Sequence, residues 1–283
     1  MRLLRYGPAG AEKPGLLDDF GQIRDLSQVV GDFAGPTVSL RQIEALSAVS
    51  LDELPIVEGE QRVGPCVASM PNFHCVGLNY AKHAAETGGE PPPEPILFSK
   101  ATSSLCGPND PIIQPKDSTQ LDYEVELGVI IGAEATHIAE ADALSIVSGY
   151  CVINDVSERN FQIRRSGQWV KGKSSPNFGP VGPWIVTADE VEDPQNLPLW
   201  LDVNGDTRQL SNTSDMIFSV AEIISYMSRF MKLLPGDVIA TGTPEGVAMG
   251  MDPREYLQPG DEVHLGVEGL GEQRQTVVAF GEA

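Results

Sequence analysis

The stretch from Leu121 to Gly132, reading LDYEVELGVIIG, restricts the fold more than any other part of the chain. Its first half alternates acidic and apolar side chains, the period of a β-strand. Its second half is continuously apolar, the mark of a strand covered on both faces. Successive side chains of a strand point to opposite faces. Asp122, Glu124 and Glu126 therefore share one face, and Tyr123, Val125 and Leu127 share the other. Three adjacent carboxylates that run into a buried strand repel one another and lose hydration, so they need a compensating positive charge. A hard divalent cation with oxygen ligands supplies it. A solvated face of an antiparallel sheet explains the alternation equally well, and the pattern alone leaves both readings open.

Short apolar segments bounded by turns recur along the rest of the chain. NFHCVGL, ILFSK, GYCVINDVS, PVGPWIVT, LWLDVNGDTRQ, DVIATGTP, DEVHLGVEG and RQTVVAF all read as strands, with VNGD and LPGD as turns. One clear helix interrupts them. Ser219 and Glu222 form a capping box ahead of the stripe Val220, Ile223, Ile224, Met227, Phe230 and Met231. Ser39 and Gln42 have the spacing of a second box, opening LRQIEALSAV. RLLRYG reads as a strand and LLDDFGQIRDLS as a hairpin turning near Gly21. The expected class is mixed α/β and β-dominated. A small N-terminal α+β domain covers residues 1–70, and a catalytic domain covers 71–283.

Charge narrows the partners. With 40 acidic against 19 basic residues, the net charge is −21, which repels phosphate backbones and argues against nucleic acid. No apolar run approaches the roughly 20 residues of a membrane helix, and MRLLRYGPAG lacks the apolar core of a secretory signal. Four scattered cysteines with apolar flanks read as buried free thiols of a reducing, cytoplasmic compartment. Four scattered histidines do not make a zinc site.

Asp155 ends the apolar strand GYCVIND, where a lone acid is hard to justify. With Glu124 and Glu126 it makes a three-carboxylate metal set that leaves coordination positions open for water or substrate. If NYAKHAAE is helical, His83 and Glu86 stand on one face, and the carboxylate can orient the imidazole as a general base. A surface turn with an incidental contact is the plainer reading of that pair. The following ETGGEPPPEP segment reads as a lid or as a plain surface loop. Arg159, Gln162 and Lys173 lie just after Asp155 and offer donors for an oxyanion or a carboxylate. Arg164 and Arg165 are further candidates, with a charged surface loop as their default. The TGTP turn, Thr241, Gly242, Thr243 and Pro244, offers hydroxyls and exposed backbone N–H groups that could bind a carboxylate, and a simple turn would look the same.

Taken in order, NYxxHxxE, the ExE strand, NDVSxRxxQ, WxKGKS and TGTP resemble the fumarylacetoacetate hydrolase family over roughly residues 71–280. The resemblance implies a β-roll of several sheets, usually a homodimer, with Mg²⁺ or Mn²⁺ bound. By position, Glu124, Glu126 and Asp155 match the metal ligands, and His83 with Glu86 matches the water-activating pair. Gln162 and Lys173 match catalytic donors, and Tyr80, Arg159, Arg165 and Thr243 match substrate contacts. The register from Trp169 selects Lys173 over Lys171, and Asp122 is left out of the set. Within the family, the N-terminal segment and QWVKGKSSPNFGPVGPW are most similar to bacterial sugar-acid members that act on 2,4-diketo-3-deoxy-L-rhamnonate or L-fuconate. The implied reaction is cleavage of the C3–C4 bond of a small 2,4-dioxo acid, giving pyruvate and, for the rhamnonate, L-lactate. Alternatives on the same fold are oxaloacetate decarboxylation, dienoate isomerisation and ureidoglycolate lyase activity. A structural metal-binding protein is the non-enzyme alternative.

Overall fold

The computed structural model describes residues 1–282. In chain order the strands are β1 Arg2–Tyr6, β2 Lys13–Leu17, β3 Ile23–Asp25, β4 Phe73–Gly77, β5 Ile96–Lys100, β6 Leu105–Cys106, β7 Ile112–Ile113, β8 Leu121–Asp122 and β9 Val125–Ile131. They continue as β10 Val147–Asn154, β11 Ser157–Glu158, β12 Gly179–Thr187, β13 Pro198–Val203, β14 Asp206–Asn212, β15 Val238–Ala240, β16 Glu262–Val267 and β17 Gly271–Val278. The α-helices are α1 Leu40–Ser47, α2 Ala81–Glu86, α3 Glu140–Ala143, α4 Arg159–Ile163, α5 Val170–Lys173 and α6 Val220–Met227.

The strands form a large mixed sheet, ordered β3-β2-β1-β12-β10-β9-β15-β4-β5, with β6 alongside β12. A five-stranded sheet, β14-β13-β16-β17-β7, packs with it, and β8 pairs with β11. The VNGD turn joins β13 to β14 with Asn204 and Gly205 both at positive φ (54° and 85°), as a two-residue hairpin loop requires. The molecule is β-dominated with short helices, as the sequence pattern predicts.

The apolar run of β9 is buried on both faces because two cores flank it. Val125, Leu127, Val129 and Ile131 pack into one, with Ile223, Ile224 and Met227 of α6. Ile130 packs into the other. Gly128 gives the neighbouring β10 room, since a Cβ there would lie 2.6 Å from the Cys151 sulfur.

The first 70 residues supply much of that second core. Leu3, Leu26, Phe33 and Val38 pack against Ile130, Cys151, Ile153 and Val238, and β1 hydrogen-bonds to β12. The leading segment thus shares both a sheet and a core with the body.

Two local expectations are corrected. Ser39 does precede α1, but no side-chain cap forms. The first helical N–H is taken instead by the Gly132 carbonyl, so α1 docks on the end of β9. α6 does carry its Ser219–Glu222 capping box but ends at Met227, which leaves Phe230 exposed.

Candidate active site

Antiparallel pairing explains why the acids meet. β9 lies between β10 and β15 and runs against both, so its first residues sit beside the last residues of its neighbours. Val125 pairs with Asn154 and Glu126 with Ile153. Asp155 follows directly, and its N–H donates to the Glu124 carbonyl at 2.9 Å. β4 runs parallel to β15, which sends the segment after Gly77 to the same edge. There the Asn79 amide donates to the Thr241 and Phe218 carbonyls at 2.8 and 3.0 Å.

The acidic stretch is not one unbroken strand. The ladder breaks at Tyr123 and Glu124, where the Asn154 side chain accepts the Glu124 N–H at 3.1 Å in place of a backbone partner. Asp122 pairs instead with Ser157. The shared face survives the break, because Arg159 reaches both Asp122 (2.8 Å) and Glu124 (2.6 Å).

Glu124, Glu126 and Asp155 are all buried, and each offers a carboxylate oxygen within 4.8 Å of the other two. Around them Asp122 is answered by Arg159 and by the N–H groups of Ala248 (2.8 Å) and Met249 (3.1 Å). Lys173 donates to Glu124 at 2.5 Å and to Asp155 at 2.7 Å, and Lys100 is paired with Asp155. Four carboxylates therefore face three cations. The unmatched acid is Glu126, whose carboxylate accepts from the Gly242 N–H at 2.7 Å.

Burial, reinforced by the Asp155 and Glu124 charges, pushes the Glu126 carboxyl well above its usual range. Burial acts the same way on Glu124, but the Arg159 and Lys173 charges outweigh it and hold that carboxyl well below. Such a buried, all-oxygen, net-negative cluster fits a hard divalent ion held by Glu124, Glu126 and Asp155.

Of these groups Glu124, Glu126, Arg159 and Lys173 line a cavity of about 240 Å³ that also takes in His83, Gln162 and Thr243, while Asp155 is outside the lining. His83 and Glu86 lie on α2, with the His83 Nδ1 2.8 Å from the Glu86 Oε1. The other Glu86 oxygen accepts the Gly246 N–H at 2.9 Å, which fixes the carboxylate behind the ring. Nε2 is left as the ring nitrogen for a reactant. Arg159 donates to the Gln162 Oε1 at 3.1 Å, so the Gln162 amide nitrogen is left for a ligand.

Other placements differ from expectation. Thr243 borders the cavity, but its hydroxyl is spent within the protein, donating to the Val125 carbonyl (2.9 Å) and accepting from Gln209 (2.8 Å). The N–H exposed by the TGTP turn at Gly242 binds a carboxylate, but that of Glu126. Tyr80 lies outside the cavity lining, buried at the start of α2 and bridged to Met216. Arg165 is exposed and stacks on Phe161 at 4.6 Å, one turn past the α4 face that carries Arg159 and Gln162.

Sequence reasoning passed over Asp122, which anchors Arg159, and Lys100, which anchors Asp155. A lysine closing the apolar strand ILFSK was the available signal for the second.

The Fumarylacetoacetate (FAA) hydrolase C-terminal model matches residues 72–278. A provisionally named hydrolase of Burkholderia multivorans is 57% identical over 276 residues, covering 97% of this chain and 98% of its own. Fumarylacetoacetate hydrolase from Exiguobacterium antarcticum superimposes with a TM-score of 0.86 at 38% identity, covering 99% of both chains. Maleylpyruvate hydrolase from Sphingobium sp. SYK-6, solved with manganese(II) and pyruvate, does so with a TM-score of 0.80 at 29% identity, also over 99% of both. 2-Hydroxyhepta-2,4-diene-1,7-dioate isomerase from Mycobacterium marinum gives 0.74 at 32%, over the whole of both chains. Matched by the family model over residues 72–278 and 57% identical to a relative over nearly its full length, the chain belongs to the fumarylacetoacetate hydrolase family.

Proposed function

We propose that this protein is a divalent-metal-dependent hydrolase that cleaves the C3–C4 bond of a 2,4-dioxo acid to give pyruvate and a second carboxylic acid. One observation carries the reading: three clustered, buried, under-neutralised carboxylates, two of which (Glu124 and Glu126) line a cavity with a histidine held from behind by Glu86. The manganese and pyruvate in the Sphingobium enzyme support both the metal class and the product. When bound, the Mg²⁺ or Mn²⁺ supplies Lewis-acid polarisation of the substrate's oxygens.

His83 Nε2 takes a proton from the water that adds to C4, and Glu86 holds the resulting imidazolium in place. Lys173 has committed two of its three N–H bonds, to Glu124 and Asp155. Its third, with the Gln162 amide, donates to the oxyanion that forms on C4. The C3–C4 bond then breaks with its electron pair going to C3, and the proton held by His83 ends there. The hydroxyl stays on C4 as part of the second acid. Isomerisation and decarboxylation use no attacking water and give the His83–Glu86 pair less to do.

Among sugar acids, 2,4-diketo-3-deoxy-L-rhamnonate, giving pyruvate and L-lactate, is the candidate that the sequence resemblance favours. A cytoplasmic homodimer completes this reading. Four free cysteines, all buried, fit a reducing compartment, and among the described residues no helix is long and apolar enough to cross a membrane.

The test is pyruvate release from a panel of 2,4-dioxo acids and from oxaloacetate, with Mg²⁺ or Mn²⁺. Turnover of the dioxo acids, abolished by chelation while circular dichroism is unchanged, is the expected result. Turnover of oxaloacetate alone contradicts the reaction assigned. Melting of the protein on chelation, with no activity beforehand, marks a structural metal site instead.

A further inference from the structure

Away from the carboxylates the cavity changes character. Its remaining walls are mainly Val76, Leu78, Phe98, Ile163, Trp169 and Met249. These walls are continuous with the acidic end. Lys173 Nζ lies 5.2 Å from the centroid of the Phe98 ring. Phe98 meets Trp169 edge to face at 5.2 Å and 64°. Trp169 lies so close over Gly77 that a Cβ there would collide with the indole.

Few polar groups face this surface. Thr87, like Thr243, spends its hydroxyl on main-chain carbonyls, those of His83 and Ala84. The ionisable side chains that border the cavity are His83, Glu124, Glu126, Arg159 and Lys173, all belonging to the catalytic end. Arg164 and Arg165 are exposed and outside the lining, and the Lys171 ammonium is turned to the Arg165 carbonyl.

We propose that this apolar wall receives the part of the substrate beyond C4, so that the enzyme selects 2,4-dioxo acids with an alkyl or aryl tail over those ending in a second carboxylate or bearing several hydroxyls. Phe98 and Trp169 are its specificity-determining residues. The inference takes its substrate frame from the dioxo-acid reading above. A distal carboxylate entering here loses hydration, and the nearest cations, Arg159 and Lys173, are already paired with Asp122, Glu124 and Asp155, whereas each added methylene gains burial. The rhamnonate, whose tail bears one hydroxyl, ranks below an alkyl tail of equal length.

Binding and turnover test this separately. Calorimetry on the Mn²⁺-loaded protein with pyruvate, 2-oxohexanoate and 2-oxoglutarate reads the wall without chemistry. Affinity is expected to rise about fourfold per added methylene, with 2-oxoglutarate weaker than 2-oxohexanoate. Trp169→Ala should flatten that gradient, and Trp169→Phe should keep it. Tighter binding of 2-oxoglutarate, or an undiminished gradient in Trp169→Ala, overturns the proposal. Parallel pyruvate-release assays use 2,4-dioxo acids with the same tails. A binding gradient without cleavage leaves the apolar wall standing and removes the hydrolase reading. Cleavage with no gradient does the reverse.

Discussion

Replacing His83 with alanine is expected to lower turnover of a 2,4-dioxo acid by about 10²–10⁴-fold, the usual contribution of a positioned general base, while leaving Mn²⁺ affinity unchanged. The geometry separates the two effects. His83 sits on α2 with its Nδ1 held by Glu86, and it is not one of the three clustered carboxylates. Removing the ring still leaves Glu86 anchored to the Gly246 N–H, so the helix keeps its footing. Steady-state kinetics together with a metal titration on the same preparation check this. Wild-type turnover in the variant removes His83 from the mechanism. A loss of metal binding equal to the loss of rate makes its role structural.

Asp155→Ala is expected to cost about 3–5 kcal/mol of stability, the range found when one member of a buried ion pair is deleted. Asp155 is fully buried and answers two buried ammonium groups, Lys100 and Lys173. Lys173 keeps Glu124. Lys100 keeps only the Val156 carbonyl at 3.1 Å and becomes a charge in the interior without a counter-ion. Urea unfolding of the metal-free protein measures the loss. A change below about 1 kcal/mol would mean that water reaches Lys100 and that the pair is not sealed as described.

Much of this arrangement was legible in the chain because it is local. The alternation in LDYEVELGVIIG places the acids on one face, and the i, i+3 spacing of His83 and Glu86 on α2 predicts their contact. The capping box of α6 is likewise written in adjacent residues. What the sequence hides depends on contacts between distant segments. The break at Tyr123 and Glu124 arises because the Asn154 side chain replaces a ladder partner, which no strand pattern reveals. Lys100 reaches Asp155 only once β5 and the end of β10 are folded together. Thr243 looks like a ligand donor until the Val125 carbonyl, from a distant strand, takes its hydroxyl proton. Arg165 and Tyr80 stand apart from the cavity lining: Arg165 is exposed beyond the end of α4, and Tyr80 packs at the start of α2.

The central claim is that three converging carboxylates hold one hard cation. Titration of the metal-free protein with Mn²⁺, followed by the loss of the free-ion electron paramagnetic resonance signal, tests it directly in the native protein and in Glu126→Gln. The account predicts one tight ion per chain in the native protein. In Glu126→Gln it predicts affinity weakened by more than about 100-fold, since even the outer partners of a metal site contribute about 10–100-fold. No stoichiometric binding in the native protein, or equal affinity in Glu126→Gln, would contradict it.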